Sequence, residues 1–374
     1  MPDFSLTPMP TSYDPQDVTF LLLPIEIETL SVEEKEKRIQ SGNSHYSEIL
    51  SIESPPKADY LELYHRAVER QAARVAQDIR LLAAQLVQDT PAGQKLVLVS
   101  LARAGTPVGV LLTRFLRSCG HEVQHYSVSI IRDRGLDLHA LQHIVNQEGN
   151  LAEHLHFIDG WTGKGVISRE LQISVDHFNA EQGTRLSSNL YVLADISGTA
   201  HHAPTHEDYL IPHAVLNGTV SGLISRTVRQ PEAYAAGAFD GAMHLEHLTA
   251  QDETLTYLGM IEEHHPQPPQ LPELLSDSPR NTAQLRTTSM QCLQDLQRGY
   301  GERPLNYIKP GVGESTRVML RRIPERLIVR DPQHPDVHHL IELAEKRQVE
   351  VTKQVDLPYQ AVALIRPLLT DQDI

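Results

Sequence analysis

Two short segments combine residue types that hold anions. The apolar run Lys95-Leu96-Val97-Leu98-Val99-Ser100 leads into Leu101-Ala102-Arg103-Ala104-Gly105-Thr106-Pro107. Ser100 and Thr106 supply hydroxyls, Arg103 can fork onto a phosphate, and Ala104-Gly105 leaves the backbone bare enough for an anion to approach. Farther on, His156-Phe157-Ile158-Asp159 runs into Gly160-Trp161-Thr162-Gly163-Lys164-Gly165 and then a helix from about Val166. Gly163 and Gly165 let N–H groups converge on the positive end of that helix, and Lys164 adds a point charge. Asp159, at the strand's carboxyl end, could hold ribose hydroxyls or a metal. The Gly-x-x-x-x-Gly-Lys-[Ser/Thr] spacing of a P-loop is not met. The plainer alternative for each segment is an ordinary strand-to-helix connection.

Three further clusters carry polar chemistry. Ile131-Arg132-Asp133-Arg134-Gly135 reads as a charged, flexible connection in which Arg132 and Arg134 could close over a phosphorylated ligand; a solvated loop with an internal ion pair competes. Within 216–227, Asn217, Ser221 and Arg226 could read a base or another polar acceptor, against a capped helix start. The stretch Lys309-Pro310-Gly311-Val312-Gly313-Glu314-Ser315-Thr316-Arg317 opens a helix continuing through Arg321 and Arg322. A helix start accepts phosphate, Glu314 can accept from a guanine edge, and the arginines neutralise a backbone. A solvated or domain-docking face competes here. Cys119 and Cys292 are too few for a disulfide framework, and neither sits at an activating helix N-terminus.

The elements that must position these groups follow from periodicity. Apolar residues at three- and four-residue spacing (Leu61, Tyr64, Val68, Val75, Ile79, Leu82, Leu86) predict a long helix over 60–88. Strands over 96–100, 123–130, 154–159 and 190–195 then alternate with helices over 108–117, 138–146 and 166–179. That alternation predicts a parallel sheet covered on both faces, with ligands at the strands' carboxyl ends. Both anion segments fall there. In the tail, strands over 326–330 and 349–353 and helices over 336–347 and 359–368 suit a small αβα sandwich.

Composition bounds the rest. The chain has 374 residues, 40% of them hydrophobic, and a formal net charge of −15. That is enough for two cores, and no apolar stretch reaches the length of a membrane span. A start without a basic, apolar leader leaves a cytoplasmic address as the expectation. Residues 280–374 are slightly basic at +2 while the rest carries −17. The shift falls beside the proline-rich 264–272. We therefore expect a first domain over 1–262 with an N-terminal extension, a linker over 263–280, and a second domain over 281–374.

A resemblance adds to this reading. Tyr13 to Leu22, Ile39-Gln40-Ser41-Gly42, His45-Tyr46-Ser47-Glu48, the Ala-Arg-Ala-Gly-Thr-Pro segment and Asp-Gly-Trp-Thr-Gly-Lys-Gly together resemble the predicted phosphoribosyltransferases of tellurite-resistance gene neighbourhoods. Members of that family also carry the label cysteine protease StiP. The resemblance implies a type I phosphoribosyltransferase fold acting on phosphoribosyl diphosphate with Mg²⁺. On it, Ser100, Arg103, Ala104, Gly105 and Thr106 take the pyrophosphate loop. Asp159, Thr162, Gly163, Lys164 and Gly165 take the ribose-phosphate loop, and Arg132 and Arg134 the mobile loop. The usual acidic pair is reduced to Asp159-Gly160, and no metal ligand set comes from the protein beyond Asp159. Gly311, Glu314, Thr316 and Arg317 resemble the helix start of the Pelota and L7Ae RNA-binding family, with Gly313 where asparagine stands. The implied function is pentosyl transfer coupled to RNA binding in a stress pathway. A non-catalytic nucleotide sensor with RNA binding and a cysteine protease stand as alternatives. The expected partners are a phosphorylated ribose or nucleotide and structured RNA, with no membrane and a homodimer left open.

Overall fold

A computed structural model of the chain describes residues 8–27, 29–30, 48–51, 53–273, 282–302 and 304–366. The motif segments 39–42 and 45–47 and the linker residues 274–280 lie outside them. Five strands form the main path of the first sheet: β1 (Thr19–Leu21), β2 (Leu96–Ala102), β3 (Val123–Ile131), β4 (Leu155–Thr162) and β5 (Leu190–Asp195). Their order is β1-β3-β2-β4-β5, with every neighbour pair parallel. The α/β architecture with a parallel sheet is as expected. The finer phosphoribosyltransferase topology is not established by it.

Period-two side-chain alternation divides the sheet between two cores. Leu96, Leu98, Ile158, Tyr191 and Leu193 face one layer, built with α1 (Ala58–Asp89), α2 (Gly105–Ser118) and the helix α5 (Thr254–Glu262). Val97, Val99, Leu101, Phe157 and Val192 face the other, covered by α3 (Leu138–Glu148) and α4 (Val166–Gln182). In α1, Tyr64, Val68, Val75, Ile79, Leu82 and Leu86 are all buried, as their spacing demands, while Leu61 is half-buried.

The C-terminal sheet is small and mixed. Strands β6 (Ile308–Pro310), β7 (Pro324–Val329), β8 (Glu350–Lys353) and β9 (Ala361–Ile365) run in the order β6-β9-β7-β8. Helix α6 (Thr282–Gly299) packs on one face around Cys292, Leu293 and Leu296. Helices α7 (Val312–Arg321) and α8 (His338–Arg347) pack on the other. Their buried residues, among them Val312, Met319 and Leu340, join the same apolar cluster as α1 and α2. The two domains therefore share a continuous core.

One element differs in kind from expectation. The helix expected over 359–368 is β9, because Ala361-Val362-Ala363-Leu364 is buried on both sides between β6 and β7. A short, wholly apolar run carries no period to separate the two. Among the described residues no helix is long and apolar enough to cross a membrane.

Candidate functional site

The tips of β2 and β4 are neighbours, as both anion segments require. Their glycines serve packing between the segments. A Cβ on Gly105 would lie 2.3 Å from the Ile158 carbonyl oxygen, and one on Gly160 would lie 3.5 Å from that of Ala104. Ser100 is fully buried, its hydroxyl 3.3 Å from the Tyr126 carbonyl and 2.9 Å from His125 Nε2. Thr106 pairs with the Ser127 hydroxyl at 2.9 Å. Arg103 donates to the Glu53 carboxylate and, at 3.0 Å, to the Ile224 carbonyl. Burial alone would raise the Glu53 carboxyl, but Arg103 and the Gly218 N–H hold it below the ordinary range. The chain's own carboxylate thus occupies the guanidinium expected to meet pyrophosphate.

The second segment is more strand than loop. β4 runs through Thr162, with Asp159 opposite Val192 and Thr162 opposite Asp195. The buried Asp159 carboxylate accepts from the Gly160 N–H at 2.8 Å, and burial raises it to about 7, with Arg317 only partly opposing. Thr162 donates to Asp195. A Cβ on Gly163 would lie 3.6 Å from the Pro310 carbonyl. Lys164 donates to the Leu305 and Ile308 carbonyls at 2.8 and 3.1 Å. Burial, with Lys309 and Arg132 nearby, lowers Lys164 to about 7. Gly165 adopts a left-handed φ of 68° to start α4. What the sequence suggested as a cradle is closed by the C-terminal domain.

The remaining candidates also have internal partners. The 131–135 connection is a tight turn, with Gly135 and Leu136 pairing back onto Ile131 and Ile130. Arg134 bonds Glu48 at 2.9 Å; Arg132 is a neighbour of Lys164 and Lys309. The 131–135 connection itself is too short to close over a ligand. Asn217 accepts from Arg321 at 2.5 Å, Ser221 donates to the Asn217 carbonyl at 2.7 Å, and Arg226 donates to the Ile49 carbonyl at 2.7 Å.

The start of α7 faces the first domain. Gly311, at φ 94°, sits against Ile196 and Asp208, and Gly313 faces Ala214. Glu314 pairs with Arg317 at 3.1 Å, and Arg317 stands 6.0 Å from the Trp161 ring. Thr316 donates back to the Val312 carbonyl at 2.8 Å and meets His339 Nε2 at 2.7 Å. Arg321 also donates to the Val215 carbonyl. Burial, offset in part by Glu314, lowers Lys309.

Three residues of this seam were not anticipated. Glu53 holds Arg103. His213 lies between Trp161 and Tyr257, with ring centroids 5.8 and 5.6 Å away. Asp208 accepts from the Val312 and Gln360 N–H groups at 2.7 and 2.8 Å, tying α7 and β9 to the first domain. Each acts on residues far away in sequence, so no local pattern announces it.

Asp159 is enclosed, and among the described residues no group of three or more His, Cys, Asp or Glu could hold a metal. The two thiols differ. Cys119 is half-buried at the end of α2, and burial raises it, with the Ser118 hydroxyl opposing. Cys292 is buried in the C-terminal core and raised by that burial to about 11.

Fold and seam together define a two-domain α/β protein whose strand-tip segments are closed by its own C-terminal domain. Residues 11–262 match the family model described as tellurite-like stress resistance cysteine protease StiP. Residues 287–367 match the PELOTA RNA binding domain. Over 375 residues the chain is 36% identical to a protein named cysteine protease StiP from Acinetobacter baylyi, covering 96% of this chain and 94% of that protein. The chain belongs to the StiP family. This corrects the expectation of a phosphoribosyl-diphosphate-binding glycosyltransferase, since the family and the relative are named for proteolysis.

Proposed function

We propose that this chain is a thiol peptidase of stress resistance, with Cys119 as its nucleophile. The observation that carries the reading is the similarity across nearly the whole chain to a protein named cysteine protease. Position favours Cys119: it lies within the matched residues 11–262 and is half-buried, whereas Cys292 lies beyond them and is buried. A thiol held protonated by burial needs a base to take its proton. His265 is the candidate. Its ring lies 4.6 Å from that of Phe115, one helical turn before Cys119, and both its nitrogens are buried without a hydrogen-bond partner. Burial lowers His265 to about 4, which keeps the ring uncharged at neutral pH and also makes it a weaker base than a free imidazole.

The test is hydrolysis of an unfolded protein substrate by the purified chain. Cys119→Ser should abolish it, His265→Ala should reduce it by roughly 10²-fold or more, and Cys292→Ser should leave it near the starting rate. Hydrolysis that survives Cys119→Ser, or none that depends on a thiol, overturns the assignment.

A second activity, RNA binding by the C-terminal domain, is supported by the match over 287–367. Filter binding of RNA should weaken steeply between low and physiological salt, as phosphate neutralisation requires. Salt-independent retention would argue against it.

A further inference from the structure

The seam between the domains gathers cations that oppose one another. Lys164 is flanked by Lys309 and Arg132, Lys309 by Arg132, Arg322 and Arg317, and Arg321 by Arg317 and Arg103. Glu53, Asp159 and Glu314 lie among them. Burial lowers both lysines, and lowers Arg321 to about 9. In a chain of net charge −15, this is a concentration of positive charge in a place with little water to screen it.

Four of these cations belong to the C-terminal domain: Lys309 precedes α7, Arg317 lies midway along it, Arg321 ends it and Arg322 follows it. Lys309 stands beside the end of that helix whose unpaired N–H groups attract phosphate, and Arg317 and Arg321, four residues apart, share the helix face turned to the first domain. In the docked arrangement that end is taken. Asp208 fills the Val312 N–H, and Lys164 is turned onto the Leu305 and Ile308 carbonyls. Arg321 is spent on Asn217 and the Val215 carbonyl.

We propose that the first domain covers the RNA-binding face of the C-terminal domain, so that docking and RNA binding exclude each other. This rests on the RNA reading above. An RNA backbone lying along this face of α7 would neutralise Lys309, Arg317 and Arg321, and would replace Asp208 at the helix start. RNA therefore competes with the first domain for one surface.

The structure offers a staple for the test. A Cβ on Gly313 would lie 3.4 Å from that of Ala214, at the short edge of the spacing a disulfide spans. The full-length Ala214→Cys/Gly313→Cys variant should close under oxidation, as checked by mass spectrometry. Binding of a labelled random-sequence RNA pool should then be at least about tenfold weaker than for the same protein reduced, because the competent state is withdrawn. Asp208→Ala, which removes the helix-end competitor, should bind the pool severalfold more tightly than the unaltered chain. Equal binding by stapled and reduced protein overturns the competition while leaving RNA binding intact. Absence of binding in every form, Asp208→Ala included, overturns the RNA reading and the competition with it. Circular dichroism on each variant separates these outcomes from misfolding.

Discussion

Asp159 is enclosed by its own strand, the Gly160 N–H and the seam. Its carboxyl stands at about 7 instead of 3.8, chiefly through burial. A carboxyl raised on folding contributes stability that is complete below its unfolded value and is lost as pH rises through the folded one. The loss therefore runs from about pH 4 to about pH 7. Asp159→Asn keeps an acceptor for the Gly160 N–H and removes the charge. It should stabilise the protein by on the order of 2 kcal/mol at pH 8 and by little at pH 4. Denaturant titrations at the two pH values check this, and an equal effect at both would show that Asp159 is not held protonated. Lys164, lowered on folding, has the opposite sign: its contribution is present above 10.5 and is lost as pH falls through about 7. Its pairing to backbone carbonyls could not be read from the chain, because Leu305 and Ile308 lie beyond the linker.

At the scale of elements, Gly165 links β4 to α4 in the left-handed region, and a Cβ there would lie 2.6 Å from Thr199 Cγ2. Gly165→Ala should cost about 1–3 kcal/mol from backbone strain and that contact together. Thermal melts should show the loss, and adding Thr199→Ala should recover only the contact's share. Full recovery would mean the backbone conformation costs nothing. The alternation of strands and helices around this junction was legible, because buried parallel strands are apolar runs and each covering helix repeats its own period. The end of β4 was not. Asp159-Gly160-Trp161-Thr162 has the composition of a loop, and only pairing with Val192, Ala194 and Asp195 makes it strand. The same limit concealed the site. Arg103 and Glu53 are fifty positions apart, so the sequence displays a free guanidinium where the fold has a pair. Neither cysteine carried a motif that marks a nucleophile, which is why the spacing of glycines, lysine and aspartate pointed elsewhere.

Across the whole molecule, the domains are joined by directed polar contacts as well as by apolar packing. Asp208 holds Val312 and Gln360, and Gln71 donates to Asp336 at 2.9 Å beside the Arg70–Asp336 pair. Calorimetric unfolding of the unaltered chain should therefore appear as one transition. Asp208→Ala leaves two buried N–H groups without their acceptor and should cost about 2 kcal/mol, dividing that transition into two. A single undivided peak would place the coupling in the shared apolar core instead.

The order of strands in the small sheet carries one more consequence. β9 lies between β6 and β7, both of which precede it in the chain. During synthesis, the outer partners emerge with a vacant slot between them, and nothing made before residue 361 can fill it. A chain that ends short of that position leaves the second sheet open along two unpaired edges. Such edges invite aggregation, so the centre of this sheet makes completed translation a condition for assembling the half of the protein that matches an RNA-binding domain.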